Sequence, residues 1–186
     1  MLPWRDTLKY MEKYQDQRVG VFVDVQNMYH SAKNLHNARA NFEEILKAAV
    51  AGRKLIRAMA YVVKSDTVEE SGFFDALSKQ GYEMKIKDLQ IFYGGAKKAD
   101  WDVGMAVDAI TLADKLDAVV LVTGDGDFVP LVEYLRANKG CLVEVMAFKE
   151  TTSSRLIEAA DDFTDLSSDK KFIRTALGGR RRLGRS

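Results

Sequence analysis

The chain has 186 residues, 47% of them hydrophobic and 30% charged, with two prolines and 10% aromatics. That composition is globular and fits one well-buried domain, which excludes collagen-like, mucin-like and wholly disordered classes. One cysteine, Cys141, and two histidines exclude a disulfide scaffold and a zinc finger. The net charge of +1 hides a split: seven basic residues and no acids lie from Lys170 onward, leaving 21 basic against 27 acidic residues, a net of −6, in residues 1–169. A basic tail of this kind reads either as a solubilising segment or as an arm for phosphate backbones.

No apolar run is long enough to span a bilayer, and Met1-Leu-Pro-Trp-Arg-Asp6 lacks the basic-then-apolar order of a signal peptide. A reducing, cytoplasmic setting without a membrane is the expectation.

Leu8, Met11 and Tyr14 recur at helical spacing and predict an amphipathic helical extension over residues 1–17, able to dock on its own domain or to join a homodimer. Residues 19–25 (Val-Gly-Val-Phe-Val-Asp-Val) are apolar on both faces, as a central parallel strand is. Asn41, with Glu44 three residues later, predicts a capping box opening a helix that stops at Gly52. Strands follow over 54–63, 82–92, 118–123 and 141–148. They alternate with helices over 68–80, 100–115, 128–138, where Pro130 suits a first turn, and 153–160. Five strands joined by long connections predict right-handed crossovers and a parallel sheet with helices on both faces, a three-layer α/β domain.

In such sheets ligands bind beyond the carboxyl ends of the strands, where strand order reverses. Asp24, Gln26 and Asn27 follow the first strand. Thr123-Gly-Asp-Gly-Asp-Phe128 follows the fourth and carries Asp125 and Asp127, while Asp100-Trp-Asp102 opens the helix between strands three and four. Four or five carboxylates are thus expected along one edge. Two of them about 4 Å apart repel by about 4 kcal/mol at an effective dielectric of 20, so a cation or a bound proton is required. With only oxygen donors, the cation is hard, Mg²⁺ or Mn²⁺, suited to orienting a phosphodiester and activating water.

Each residue has a structural alternative. Asp24 can end its strand by accepting backbone hydrogen bonds, and Asp100 or Asp102 can cap a helix. Asp-Gly-Asp is a common turn, but a calcium loop starting at Asp125 would need Glu at its twelfth position, which is Arg136. Asp108, six residues after Asp102, falls on another helix face and reads as an outer or solvent residue. His30 and His36 fall in the loop after strand one and read as polar surface or a general base. Lys97 and Lys98 can grip phosphate or simply be solvated. Trp101 can stack on a base or pack against the sheet. Cys141 reads as inert core.

The strings Phe22-Val-Asp-Val-Gln-Asn27, Asp100-Trp-Asp-Val-Gly-Met-Ala-Val-Asp108 and Leu121-Val-Thr-Gly-Asp-Gly-Asp-Phe-Val-Pro-Leu131 resemble the NYN domains, in particular the LabA-like group, which belongs with the PIN-domain nucleases. The resemblance covers residues 18–166 and leaves a basic tail over 167–186. It implies a PIN-like, Rossmann-like sheet of five parallel strands in the order 3-2-1-4-5, and metal-dependent cleavage of RNA, single-stranded in the first instance. By position it implies Asp24, Asp102, Asp125 and Asp127 as the metal set, with Asp24 and Asp125 holding Mg²⁺ or Mn²⁺ directly. Asn27 would be the polar partner and Thr123 the hydroxyl. The chain departs from the group at Lys98-Ala-Asp-Trp-Asp102, where many relatives have a Lys-Gly-x-Asp step.

Rival readings are weaker. A haloacid-dehalogenase phosphatase wants an acid where Gln26 stands, a Toprim nuclease usually starts from Glu, and a receiver domain needs an Asp where the chain has Tyr93-Gly-Gly. The non-enzymatic alternative is an RNA-binding or regulatory interaction module of the same fold.

Overall fold

The computed structural model describes residues 15–64, 69–88, 90–91, 97–98 and 100–175. The amphipathic extension expected over 1–17 lies outside them up to residue 14, and the tail lies outside them from residue 176.

Strand β1 (Arg18–Asp24) leads directly into helix α1 (Val25–His36), followed by β2 (Ala38–Ala40) and α2 (Phe42–Val50). Next come β3 (Lys54–Lys64), α3 (Glu69–Lys79), β4 (Glu83–Asp88) and the two-residue strands β5 (Gln90–Ile91) and β6 (Lys97–Lys98). The second half holds α4 (Asp102–Leu112), β7 (Ala118–Val122), α5 (Val129–Lys139), β8 (Leu142–Ala147), α6 (Ser154–Ala159), β9 (Asp162–Asp165) and β10 (Ile173–Thr175).

The main sheet runs β4-β3-β1-β7-β8-β9, and every neighbouring pair is parallel. The expected order is present, but the sheet has six strands rather than five. The sixth, β9, pairs Phe163 with Val145 of β8. It has four residues and one large apolar side chain, so its identity comes from the strand beside it rather than from its own pattern.

Alternation along β1 sends Val19, Val21 and Val23 to a layer containing Met28, Ile45, Leu77 and Phe172. Phe22 goes to the opposite layer with Met105, Leu121, Leu135 and Leu156. Helices α1, α2 and α3 thus cover one face, and α4, α5 and α6 the other. No helix among the described residues is long and apolar enough to cross a membrane.

Three local expectations change. The segment holding His30 and His36 is helical, not a loop. Asn41 sits at the amino end of α2 without capping it through its side chain. Its amide instead donates to Lys171 O at 2.8 Å, and its Oδ1 accepts from Arg174 Nε at 3.0 Å. The start of the basic stretch is folded: Phe172 is buried and β10 pairs antiparallel with β2.

One polar pair is fully inside. Arg53 and Glu144 form a bidentate ion pair at 2.6 and 3.0 Å, and the guanidinium also donates to Ala49 O and Val50 O. Burying two charges is tolerable only with this degree of hydrogen bonding.

Candidate metal centre

The pairing of β1 with β7 builds the site. Val23 lies opposite Val122, so the next residues, Asp24 and Thr123, emerge side by side where strand order reverses. On the other flank Asp24 lies opposite Tyr61 of β3. Asp24 is the amino-terminal cap of α1: its Oδ1 accepts from Asn27 N at 3.0 Å, so the structural alternative for this residue is realised. Its Oδ2 accepts from the Thr123 hydroxyl at 3.4 Å, and Thr123 Oγ1 in turn accepts from Asp125 N at 3.3 Å.

After β7 the chain makes a tight excursion. Asp125 Oδ1 accepts from Asp127 N at 2.9 Å, opening the 3-10 turn Gly126–Phe128. Asn27 Oδ1 accepts from Gly124 N at 3.0 Å, and Gly124 O accepts from Ser153 N at 3.0 Å. The glycines are required by proximity. A Cβ on Gly124 would stand 3.1 Å from Thr151 O and 2.9 Å from Thr152 Oγ1, and one on Gly126 would stand 2.8 Å from Ser153 Oγ.

Helix α4 delivers the third acid. Trp101 is its amino-terminal cap residue and Asp102 its first residue, so neither Asp100 nor Asp102 holds the cap position. The Trp101 indole donates to Val62 O at 2.8 Å and packs edge-to-face on Tyr61, with ring centres 5.5 Å apart. Gly104 makes this possible, because a Cβ there would fall 2.7 Å from the Trp101 ring. Packing against the sheet is therefore what the indole does.

Carboxylate oxygens of Asp102, Asp125 and Asp127 lie within 4.8 Å of one another. Asp24 is not part of that closest trio. It lines the same pocket of about 180 Å³ with Asp100, Asp102, Asp125, Asn27 and Tyr61. The crowding registers in the titration. Burial, then the charges of Asp125, Asp100, Asp24 and Asp127, push the Asp102 carboxyl up to about 6. Burial also raises Asp24, against the opposing pull of the Asn27 N–H and the Thr123 hydroxyl.

This arrangement fits a hard divalent cation. Oxygens sharing an octahedral ion at ~2.1 Å are spaced roughly 3–4 Å apart, which small side-chain movements reach from the observed spacing. Only oxygen donors converge here, the donor set of Mg²⁺ or Mn²⁺ rather than zinc.

The remaining candidates divide. Asp108 accepts from the Tyr61 hydroxyl at 2.9 Å and pairs with Lys85 at 3.5 Å, so it supports a wall of the pocket. Tyr61 itself carries no local sequence signal, since only strand register brings it beside Asp24. His30 is exposed on α1, and His36 packs against Phe148. The backbone of Lys97 and Lys98 pairs with Ile91 and Gln90. Cys141 is buried, its thiol facing Ala113 O and Leu116 O at 3.6 Å.

Residues 18–168 match the NYN domain family. The chain belongs to that family. This NYN protein is 27% identical over 175 residues to the low amplitude and bright protein LabA of Synechococcus elongatus, covering 86% of this chain and 89% of LabA. A Vibrio parahaemolyticus protein of unknown function, known from its crystal structure, superposes with a TM-score of 0.80 at 31% identity, over 88% of this chain and 99% of that one. The NYN family is nuclease-type, and the convergence of carboxylates at its switch point suits that class.

Proposed function

We propose that the protein is a Mg²⁺- or Mn²⁺-dependent ribonuclease that hydrolyses phosphodiester bonds of single-stranded RNA. The observation that carries this reading is the trio Asp102, Asp125 and Asp127, drawn from two elements with oxygens within 4.8 Å, with Asp24 on the wall of the same pocket.

Asp102, Asp125 and Asp127 would hold the cation, and Asp24 closes the remaining side. Once bound, a divalent cation supplies positive charge to the phosphate and lowers the pKa of water. The chain's own residues do the rest. Asn27 and Thr123 fix the loop that carries Asp125 and Asp127, so the acids need not reorganise during turnover. The Trp101–Tyr61 pair packs one wall of the pocket. At about 180 Å³ the pocket is smaller than the ~300–1,000 Å³ that encloses a small-molecule ligand. It therefore grips one group on a larger substrate, and a backbone phosphate is such a group. No side-chain nucleophile is needed, in keeping with the buried position of Cys141.

The test is cleavage of a labelled single-stranded RNA with Mn²⁺, with Mg²⁺ and with EDTA, alongside Asp24→Asn and Asp125→Asn. Cleavage that needs cation and carboxylates establishes the reaction class. Failure of well-folded, cation-loaded protein across several RNAs assigns the domain to binding or regulation.

A further inference from the structure

A groove of about 770 Å³ opens at the amino-terminal edge of the strands, the edge opposite the carboxylates, between α2, the start of β3 and the end of α3. Its walls include Leu46, Val50, Leu55 and Ala76, and Lys79 stands among the polar residues lining it. Leu55 remains 37% exposed. An open apolar trough rimmed by Glu43, Lys47 and Lys79 fits an amphipathic occupant.

The path of the chain says which occupant. Lys54 N donates to Gln17 O at 3.0 Å, Lys54 Nζ pairs with Asp16 at 2.8 Å, and Arg53 donates to Gln17 Oε1 at 3.3 Å. Residues 16–17 therefore run beside Arg53 and Lys54, between Gly52 and Leu55, both of which line the groove. Fifteen residues precede Asp16. In them Trp4, Leu8, Met11 and Tyr14 recur at steps of four, three and three, one face of a helix, with Arg5, Lys9, Glu12 and Lys13 off that face. Eleven residues of helix measure about 16 Å, comparable with the ~14 Å of α2.

We propose that residues 4–14 of this chain fold back as an amphipathic segment and dock in the groove between α2 and α3 of their own domain. Docking covers Leu55 and Ala76 and anchors the strand that leads to Asp24. The proposal is independent of the catalytic reading.

Hydrogen exchange of the full chain, followed by mass spectrometry at several protein concentrations, tests it. Amides of residues 4–14 are expected to exchange at least tenfold slower than the coil rate, equally at all concentrations. Leu55→Asp is expected to return them to the coil rate while amides of β1 and β7 keep their protection. Ala76→Lys, on the facing wall, is expected to do the same. Coil-rate exchange in the unaltered chain overturns the proposal, as does protection that survives both substitutions. Protection that rises with protein concentration also overturns it and assigns the groove to a second copy of the chain.

Discussion

The side chain of Asn27 accepts a hydrogen bond from Gly124 N at 3.0 Å, tying the first turn of α1 to the loop that carries Asp125 and Asp127, 97 residues further along the chain. Gly124 is buried, so this N–H has no access to an alternative partner in water. Two acidic segments from opposite halves of the sequence are thereby held in one frame.

Asn27→Leu removes the acceptor and leaves a buried donor unsatisfied, at a cost of about 1–3 kcal/mol. Urea denaturation should show that loss, and the variant should bind Mn²⁺ more weakly than the unaltered protein because its acidic loop is no longer fixed. A variant with unchanged stability and unchanged Mn²⁺ binding would contradict the assignment.

Asp102 sets a pH window. Its carboxyl, at about 6 in the folded chain against 3.8 as the ordinary value, favours the fold most below about pH 4, and that contribution is lost as the pH rises through 6. A cation binds the ionised form and reverses the trend. Mg²⁺ or Mn²⁺ at ten times its Kd should therefore stabilise the protein by about 1.4 kcal/mol at pH 7.5, with the effect vanishing near pH 5. Asp102→Asn should abolish the cation-dependent rise in Tm while changing cation-free stability by less than about 1 kcal/mol, since the side chain is partly solvated. Differential scanning fluorimetry across pH, with and without cation, reads both.

The ion pair between Arg53 and Glu144 makes a prediction about the fold alone. Arg53→Met removes the bidentate cation from a buried carboxylate and should destabilise by about 3–5 kcal/mol, as Glu144→Leu should by removing the anion from a buried guanidinium. The double variant should recover most of the loss, because two apolar side chains of similar volume need no partner. Guanidinium denaturation of all four proteins gives the coupling directly.

Two glycines should respond in opposite directions. Gly124→Ala forces a methyl against Thr151 O and Thr152 Cα, at 3.1 and 3.2 Å, and should cost about 1–3 kcal/mol with displacement of Asp125. Gly72→Ala, inside α3, meets no described atom within 4 Å and should stabilise by up to about 1 kcal/mol. Thermal melts of the two variants test the contrast.

Much of this was legible in the residues themselves. The apolar runs at β1, β3, β7 and β8 read as strands because strands buried on both faces must be apolar on both faces. Helix α1 escaped because it buries only Val25, Met28, Ser31 and Ala32, a stripe half made of small or polar residues. Its cap is Asp24, a residue that reads first as chemistry. The Asn41–Glu44 capping box failed because β10 and its approach, more than a hundred residues later, compete successfully for the Asn41 side chain.

The sequence by itself determined which acids gather at one edge, because the order of strands and crossovers leaves only one edge for residues that follow strands. Tertiary structure alone decided their spacing: the closest trio is Asp102, Asp125 and Asp127, while Asp24 is turned to cap α1 and bond Thr123. It alone recruited Tyr61 and Asp108, through strand register and helix placement. Periodicity specifies which face a side chain takes, but the distances between side chains on different elements depend on register and on how closely backbones approach, and those are set by packing across the whole domain.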